Sequence, residues 1–219
     1  MKRIAIQGYQ GCFHEEAARR FYADETPAIV ECDTFEDLYR SMEAGLADGA
    51  VMAIENTLSG GLIHNFELLR KYDRKIKGEV YLRIRQNLMA LPGQSLRDIR
   101  EVRTHYMAIN QTRTFFEREC PWIHLVESED TAKSARDVAE KKLRGVGAVA
   151  SELAAQLFGL EILAPGIETY KQNYTRFLVF DGEMDIPEDE IDKASRRTKS
   201  TRRPSASPCF TSRVPWPIS

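Results

Sequence analysis

The sequence predicts an α/β fold of two lobes, and three features predict it. Apolar runs of strand length alternate with stretches of helical period, the alternation comes as two series of about 80 residues, and a last strand-like run follows the second series. In the first series a strand is expected at about Arg3–Gln7, a loop at Gly8 and Gly11, and a helix at Phe13–Ala23. A strand at Ala28–Cys32 follows, then a helix in which Phe35, Leu38, Tyr39, Met42 and Leu46 repeat at i, i+3, i+4, i+7, with Thr34 and Asp37 spaced as a capping box at its start. An apolar strand at Ala50–Ile54 leads into Glu55-Asn56-Thr57-Leu58-Ser59-Gly60-Gly61 and a helix near Ile63–Arg70.

The run Glu79–Leu91 reads as one long strand opening the second series. After it come a strand at Glu101–Thr104, a helix at Tyr106–Arg118, a strand at His124–Val126 and a helix with Ala135, Val138, Ala139 and Leu143 on one face. Strand Val146–Ala150, helix Ser151–Phe158 and a strand-like Glu161–Leu163 complete it, and Arg176–Phe180 forms the last strand. Lobe 1 is therefore expected at residues 1–76 plus 168–182 and lobe 2 at 77–167, with hinges near Tyr72–Lys77 and Pro165–Thr169 and the ligand site in the cleft between the lobes.

The composition excludes several classes. A net charge of −2 over 219 residues, from 31 Lys and Arg against 33 Asp and Glu, argues against a polyanion-binding protein. No run reaches the roughly 20 apolar residues of a membrane span, and the N-terminus enters a strand without a cleavable signal, so a cytoplasmic location with neither membrane nor nucleic-acid partners is expected. Cys12, Cys32, Cys120 and Cys209 form no CxxC pair and the four His do not stand at ligand spacing, so reduced structural thiols and no metal site are expected. Residues 196–219 hold six Arg or Lys, four of the nine Pro and no acid, while residues 1–195 hold 25 basic against 33 acidic residues. Residues 183–219 accordingly read as a linker and a disordered tail outside the fold.

Three polar loops stand where strands end. Gly8-Tyr9-Gln10-Gly11-Cys12-Phe13-His14 suits either a tight turn or an anion site at a helix N-terminus, and it lacks the GxGxxG and P-loop patterns. Glu55-Asn56-Thr57-Leu58-Ser59-Gly60 places a Glu-Asn pair at the end of a buried strand, which a turn and a helix cap alone leave unexplained. Gln172-Asn173-Tyr174-Thr175-Arg176-Phe177 enters the last strand. No GxSxG or nucleophile–base pair occurs, and His64 and His124 fall in surface or capping contexts. Hydroxyls, amides, backbone N–H groups and one Arg suit a small, multiply anionic ligand.

In order along residues 3–180, the segments IAIQGYQGCFHEEAA, AIENTLSGG, THYMAINQ, DTAKSA, VASELAAQLFGLEIL and QNYTRF resemble the motifs of prephenate dehydratases. The resemblance implies a fold like the type II periplasmic binding proteins, an active site between the lobes, a homodimer and no cofactor. It places the catalytic Thr on Thr175, beside Arg176 and Phe177, the Glu-Asn pair on Glu55 and Asn56, and a cleft Ser on Ser59 next to Gly60. In lobe 2 it places a Ser-His segment on Thr104 and His105, a functional Gln on Gln111 and a substrate-side Thr on Thr131. The Pro-x-Gly turn is replaced here by Gly8-Tyr9-Gln10-Gly11, a His often found in the long strand by Gln86, and the usual Ser by Thr104.

The implied reaction converts prephenate to phenylpyruvate, carbon dioxide and water, driven by aromatisation without redox cofactor, metal or covalent nucleophile. Thr175 would contact the departing oxygen, oriented by Asn173 or Asn56, with water or Glu55 as the proton source. Backbone N–H groups of Gly11, Cys12 and Phe13 or of 59–61, with Thr104 and Thr131 across the cleft, would hold the carboxylates. Arogenate dehydration, and a non-catalytic small-molecule binding domain on the same scaffold, are the alternatives. Many members continue into a phenylalanine-binding ACT domain; the basic tail stands in its place, read either as natural or as a frameshifted remnant of that domain.

Overall fold

The computed structural model describes residues 1–72 and 74–182, and the basic tail and Cys209 lie outside them. The first half runs β1 (Arg3–Gln7), α1 (Phe13–Phe21), β2 (Ala28–Cys32), α2 (Phe35–Glu43), β3 (Gly49–Asn56), β4 (Gly60–Gly61), α3 (Ile63–Tyr72) and β5 (Ile76–Arg83). The second runs β6 (Asn87–Ala90), a 3-10 turn at Leu96–Asp98, β7 (Glu101–His105), α4 (Tyr106–Glu119), β8 (His124–Ser128), α5 (Thr131–Glu140), β9 (Val146–Ala150), α6 (Glu152–Phe158) and β10 (Glu161–Ala164), before β11 (Tyr174–Asp181).

Two sheets organise these elements. The first has the order β2-β1-β3-β11-β5, with β4 also paired to β3, and the second has the order β10-β6-β9-β7-β8. β1 is parallel to β2 and β3, as right-handed strand–helix–strand units require, whereas β11 inserts antiparallel between β3 and β5. The chain thus passes between the sheets twice, through residues 84–86 and 165–173.

Several expectations change here. Glu79–Leu91 is not one strand: β5 belongs to the first sheet and β6 to the second. The change of sheet therefore falls at residues 84–86 rather than 76/77, and Ile76 and Lys77, at the end of the expected Tyr72–Lys77 hinge, already belong to β5 of the first sheet. The chain stays extended as it changes sheet, and extended backbone carries the same period-2 signature on either side. α1 also ends at Phe21, two residues early, where Tyr22 leaves helical geometry.

The capping box of α2 forms as its sequence requires, Thr34 Oγ1 accepting from Asp37 N and the Asp37 carboxylate from Thr34 N, both at 3.2 Å. Beneath α2 and α3, Leu38, Tyr39, Met52, Leu68 and Phe180 form one buried cluster. A second cluster runs through both lobes, joining Ile4, Val51 and Phe177 of the first sheet to Ala148 and Ala150 of the second. Small residues make that continuity possible: Ala17, Ala132, Ala135 and Ala154 are buried in it, so helices approach closely without long side chains holding them apart.

Candidate active site at the lobe junction

β3 ends where its neighbour β11 begins, and the register sets Thr175 directly opposite Asn56. The Asn56 carboxamide organises this corner. Its Nδ2 donates to Asn173 Oδ1 at 2.8 Å, Thr175 Oγ1 at 2.9 Å and Tyr174 O at 3.1 Å, and its Oδ1 accepts the N–H groups of Leu58 and Ser59. Thr57 and Tyr174 add a reciprocal pair, Thr57 N to Tyr174 O and Tyr174 N to Thr57 Oγ1, each at 2.9 Å. Asn173 is fully buried, and its Nδ2 has no hydrogen-bond partner among the described residues, an arrangement that costs free energy unless something else accepts from it. Thr175 is 8% exposed, and because its oxygen accepts from Asn56 its own proton is free to be donated outward.

A β-bulge decides which side chains share this face. Glu55 lies opposite Arg176 but Ala53 lies opposite Phe177, so Ile54 is an extra residue. The displaced Ala53 N–H is accepted by His14 Nε2 at 3.3 Å, and Ala53 O accepts from Asn65 at 2.7 Å. His14 stacks edge-on against Phe177 with 5.0 Å between ring centroids, and burial pushes its imidazole down to about 4. Phe177, expected to contact the substrate, is 1% exposed and packs as a core residue against His14.

Arg176 and Glu55 point away from Thr175, because successive strand residues face opposite ways. Arg176 Nε donates to Glu79 Oε2 at 2.7 Å and its guanidinium stands 3.9 Å from Glu55. The expected assignments of Arg176 to substrate and of Glu55 to proton delivery are thus not brought together with Thr175.

The glycine loop is also internally committed. Gly8 N donates to Cys32 O, Gln10 N to Glu31, Gly11 N to Glu15 Oε2 at 2.6 Å and Cys12 N to Tyr9 O. Its expected role as an anion cradle fails for Gly11 and Cys12, whose N–H groups already have acceptors; Phe13 opens α1 half-buried. Gly11 instead packs closely against lobe 2: a Cβ there would lie 2.9 Å from Ala154 Cα, and Gly11 O accepts from buried Ser151 Oγ at 2.5 Å. Burial leaves the Cys12 thiol raised, far from thiolate reactivity.

Across the junction, Tyr9 of lobe 1 meets α5 of lobe 2. Its hydroxyl donates to Glu129 at 2.5 Å while Lys133 and Arg136 lie over its ring, each at 5.0 Å, and Arg136 stands 3.6 Å from Glu31. Asp130 caps α5 by accepting Lys133 N at 2.8 Å, and burial raises its carboxyl. Thr131 is the first residue of that helix. His105 caps α4, its Nδ1 accepting Met107 N at 3.3 Å. Thr104 is fully buried with its hydroxyl given to Val149 O at 2.7 Å, so the expected carboxylate contact is replaced by a backbone tie. Gln111 is half-buried and bonded to Gln86, and Ser59 and Gly60 are exposed in the turn that closes β3 onto β4. Tyr9 and His14 belong to the polar loop the sequence marked but were given no role of their own, and Ser151 and Asp130 carried a signal only as polar residues in helix-cap position.

Fold and site define a two-lobed α/β domain whose polar residues collect at strand ends along the junction of the lobes. The prephenate dehydratase profile matches residues 4–185, and the chain belongs to that family. Arogenate dehydratase 5 of Arabidopsis thaliana is 36% identical over 185 residues, covering 84% of this chain and 43% of that protein. Arogenate dehydratase/prephenate dehydratase 2 of the same plant is 36% identical over 187 residues, with 84% and 48% covered, so the chain spans less than half the length of these curated relatives. Among solved structures, the prephenate dehydratase from Arthrobacter aurescens in complex with L-Phe superposes with a TM-score of 0.74 at 28% identity, covering 85% of this chain and 62% of that one. GqqA, described as a novel type of quorum quenching acylase, superposes with a TM-score of 0.73 at 34% identity, covering 85% and 66%.

Proposed function

We propose that this chain is the catalytic region of a prephenate dehydratase, converting prephenate to phenylpyruvate, carbon dioxide and water in phenylalanine biosynthesis. The observation that carries the reading is the single carboxamide of Asn56 shared between Asn173 and Thr175. Decarboxylation leaves an electron pair that expels the ring hydroxyl as the ring aromatises. Hydroxide is a poor leaving group, so a donor at the departing oxygen lowers the barrier. The Thr175 hydroxyl suits that place, since its oxygen is occupied by Asn56 and its proton is directed elsewhere. A water supplies the proton that leaves with the hydroxide, because a threonine is a weak acid and Glu55 lies on the other face of β3. Substrate carboxylates fall to Gln111 and Thr131 rather than to the glycine loop or to the Ser59 N–H, which Asn56 Oδ1 already accepts. A cytoplasmic homodimer completes the reading.

A second reading, arogenate dehydration, is favoured by the names of the plant relatives, which are arogenate dehydratases or carry both activities. The two substrates differ by an amino group in place of the side-chain keto group. Purified protein assayed with prephenate for phenylpyruvate and with arogenate for phenylalanine tests both; turnover of neither, with calorimetric binding of phenylpyruvate retained, would leave only a binding domain. An N-acyl amide assayed in parallel tests for the chemistry after which GqqA is described. Amide hydrolysis without dehydration would overturn the proposal.

A further inference from the structure

Both crossings between the lobes converge on one buried side chain that the mechanism above does not use. Gln86 is 3% exposed and lies on the first crossing. The second crossing clamps its backbone from both sides: Ile167 N donates to Gln86 O at 2.7 Å, and Gln86 N donates to Glu168 Oε2 at 3.0 Å. Its Nε2 then donates to Gln111 Oε1 at 3.0 Å, while Gln111 O accepts Thr169 N at 2.8 Å.

A carboxamide has one accepting and one donating end, so engaging one end by a donor determines what the other end presents. Gln111 Oε1 is occupied by Gln86. Gln111 Nε2 is therefore the end left over, half-buried on α4, whereas the other end of Gln86, Oε1, is buried with no hydrogen-bond partner among the described residues. We infer that Gln86 is a positioning residue, which holds the Gln111 carboxamide with its N–H groups turned out as donors to an oxygen anion or carbonyl of the substrate. This rests on the reading that the lobe junction binds an anionic substrate through Gln111. A freely rotating Gln111 would present its oxygen to a carboxylate half of the time, and an oxygen facing an anion repels it. Because Gln86 is tied to the second crossing, the donor is also aligned only while the two crossings stay zipped together.

Four variants test the assignment: Gln86→Met, which keeps the length and removes the donor; Gln86→His, whose ring N–H can replace it; Gln111→Met; and the double variant Gln86→Met/Gln111→Met. Expected are a loss on the order of tenfold in kcat/KM for Gln86→Met, carried mainly by KM, and recovery of most of it in Gln86→His. In the Gln111→Met background the Gln86→Met change should cost nothing further, because its route of action is already gone. Equal loss in Gln86→Met and Gln86→His, or full additivity of the double variant, would mean that Gln86 acts through packing and would overturn the proposal. A ligand-free readout separates this from the identity of the reaction. By NMR, the Gln111 side-chain amide should be rigid in the wild type and mobile in Gln86→Met. Equal rigidity in both overturns the positioning role whatever the substrate, whereas a wild type that turns over neither prephenate nor arogenate overturns the functional reading alone.

Discussion

Gly11→Ala should strain the seam between the lobes, where a Cβ would meet the backbone of Ala154. Gly11 has φ +87°, a left-handed conformation in which a Cβ costs about 1 kcal/mol. The new methyl would also lie 2.9 Å from Ala154 Cα and 3.0 Å from Ala154 Cβ, atoms that cannot swing aside as a flexible side-chain end could. α6 cannot retreat cheaply either, since Ser151 at its start is bound to Gly11 O. Overpacking at such a site costs about 1–3 kcal/mol, so the expected destabilisation is about 2–4 kcal/mol in all. Gly45→Ala supplies the control: Gly45 has φ +68° with nothing within 4 Å of a Cβ, so it should cost about 1 kcal/mol, the conformational part alone. Urea denaturation followed by circular dichroism measures both. If Gly11→Ala lost no more than Gly45→Ala to within about 0.5 kcal/mol, the lobe seam would not be packed as described.

Thr175→Ala should fold normally and lose on the order of 10²-fold in kcat, with Thr175→Ser retaining more; near-normal turnover by the Ala variant would remove Thr175 from the chemistry. Lowering the pH from 7 to 5 should destabilise the fold through His14. Its folded pKa, about 4, lies below the unfolded value of 6.5, so the unfolded chain takes the proton first and stability is lost as pH falls between those values. The full shift would amount to about 2 kcal/mol over that interval, and since His14 keeps part of its surface, about 1 kcal/mol is expected. His14→Gln should flatten the pH dependence of the urea midpoint by that amount, and an unchanged slope would refute the assignment. Arg176→Met should lower stability by about 2–4 kcal/mol through the loss of the half-buried pair with Glu79, and more than it lowers kcat, which a substrate-binding Arg176 would reverse.

Local patterns were legible wherever one residue's neighbours in sequence are also its neighbours in space. The period of Phe35, Leu38, Tyr39 and Met42 and the Thr34–Asp37 spacing defined α2, because a helix and its cap are complete within one segment. The polar end of β3 and the loop before β11 were likewise conspicuous. Their meeting was not, since the pairing of Asn56 with Thr175 joins residues 119 apart and depends on β11 inserting beside β3.

The sequence by itself determined the alternation of strands and helices, the two series, the membership of a family whose motifs lie in order along the chain, and the candidate polar positions. Only the tertiary structure decided which of those positions face one another. Thr104 and Gly11 sit in the right segments, yet one gives its hydroxyl to Val149 O and the other gives its N–H to Glu15. Arg176 adjoins Thr175 in sequence, yet the pleat turns it to Glu79. The reason is common to all three. A polar group's role is set by the partner that satisfies it, and in a fold whose chain passes twice between lobes that partner comes from another strand, loop or helix, beyond the reach of any local pattern.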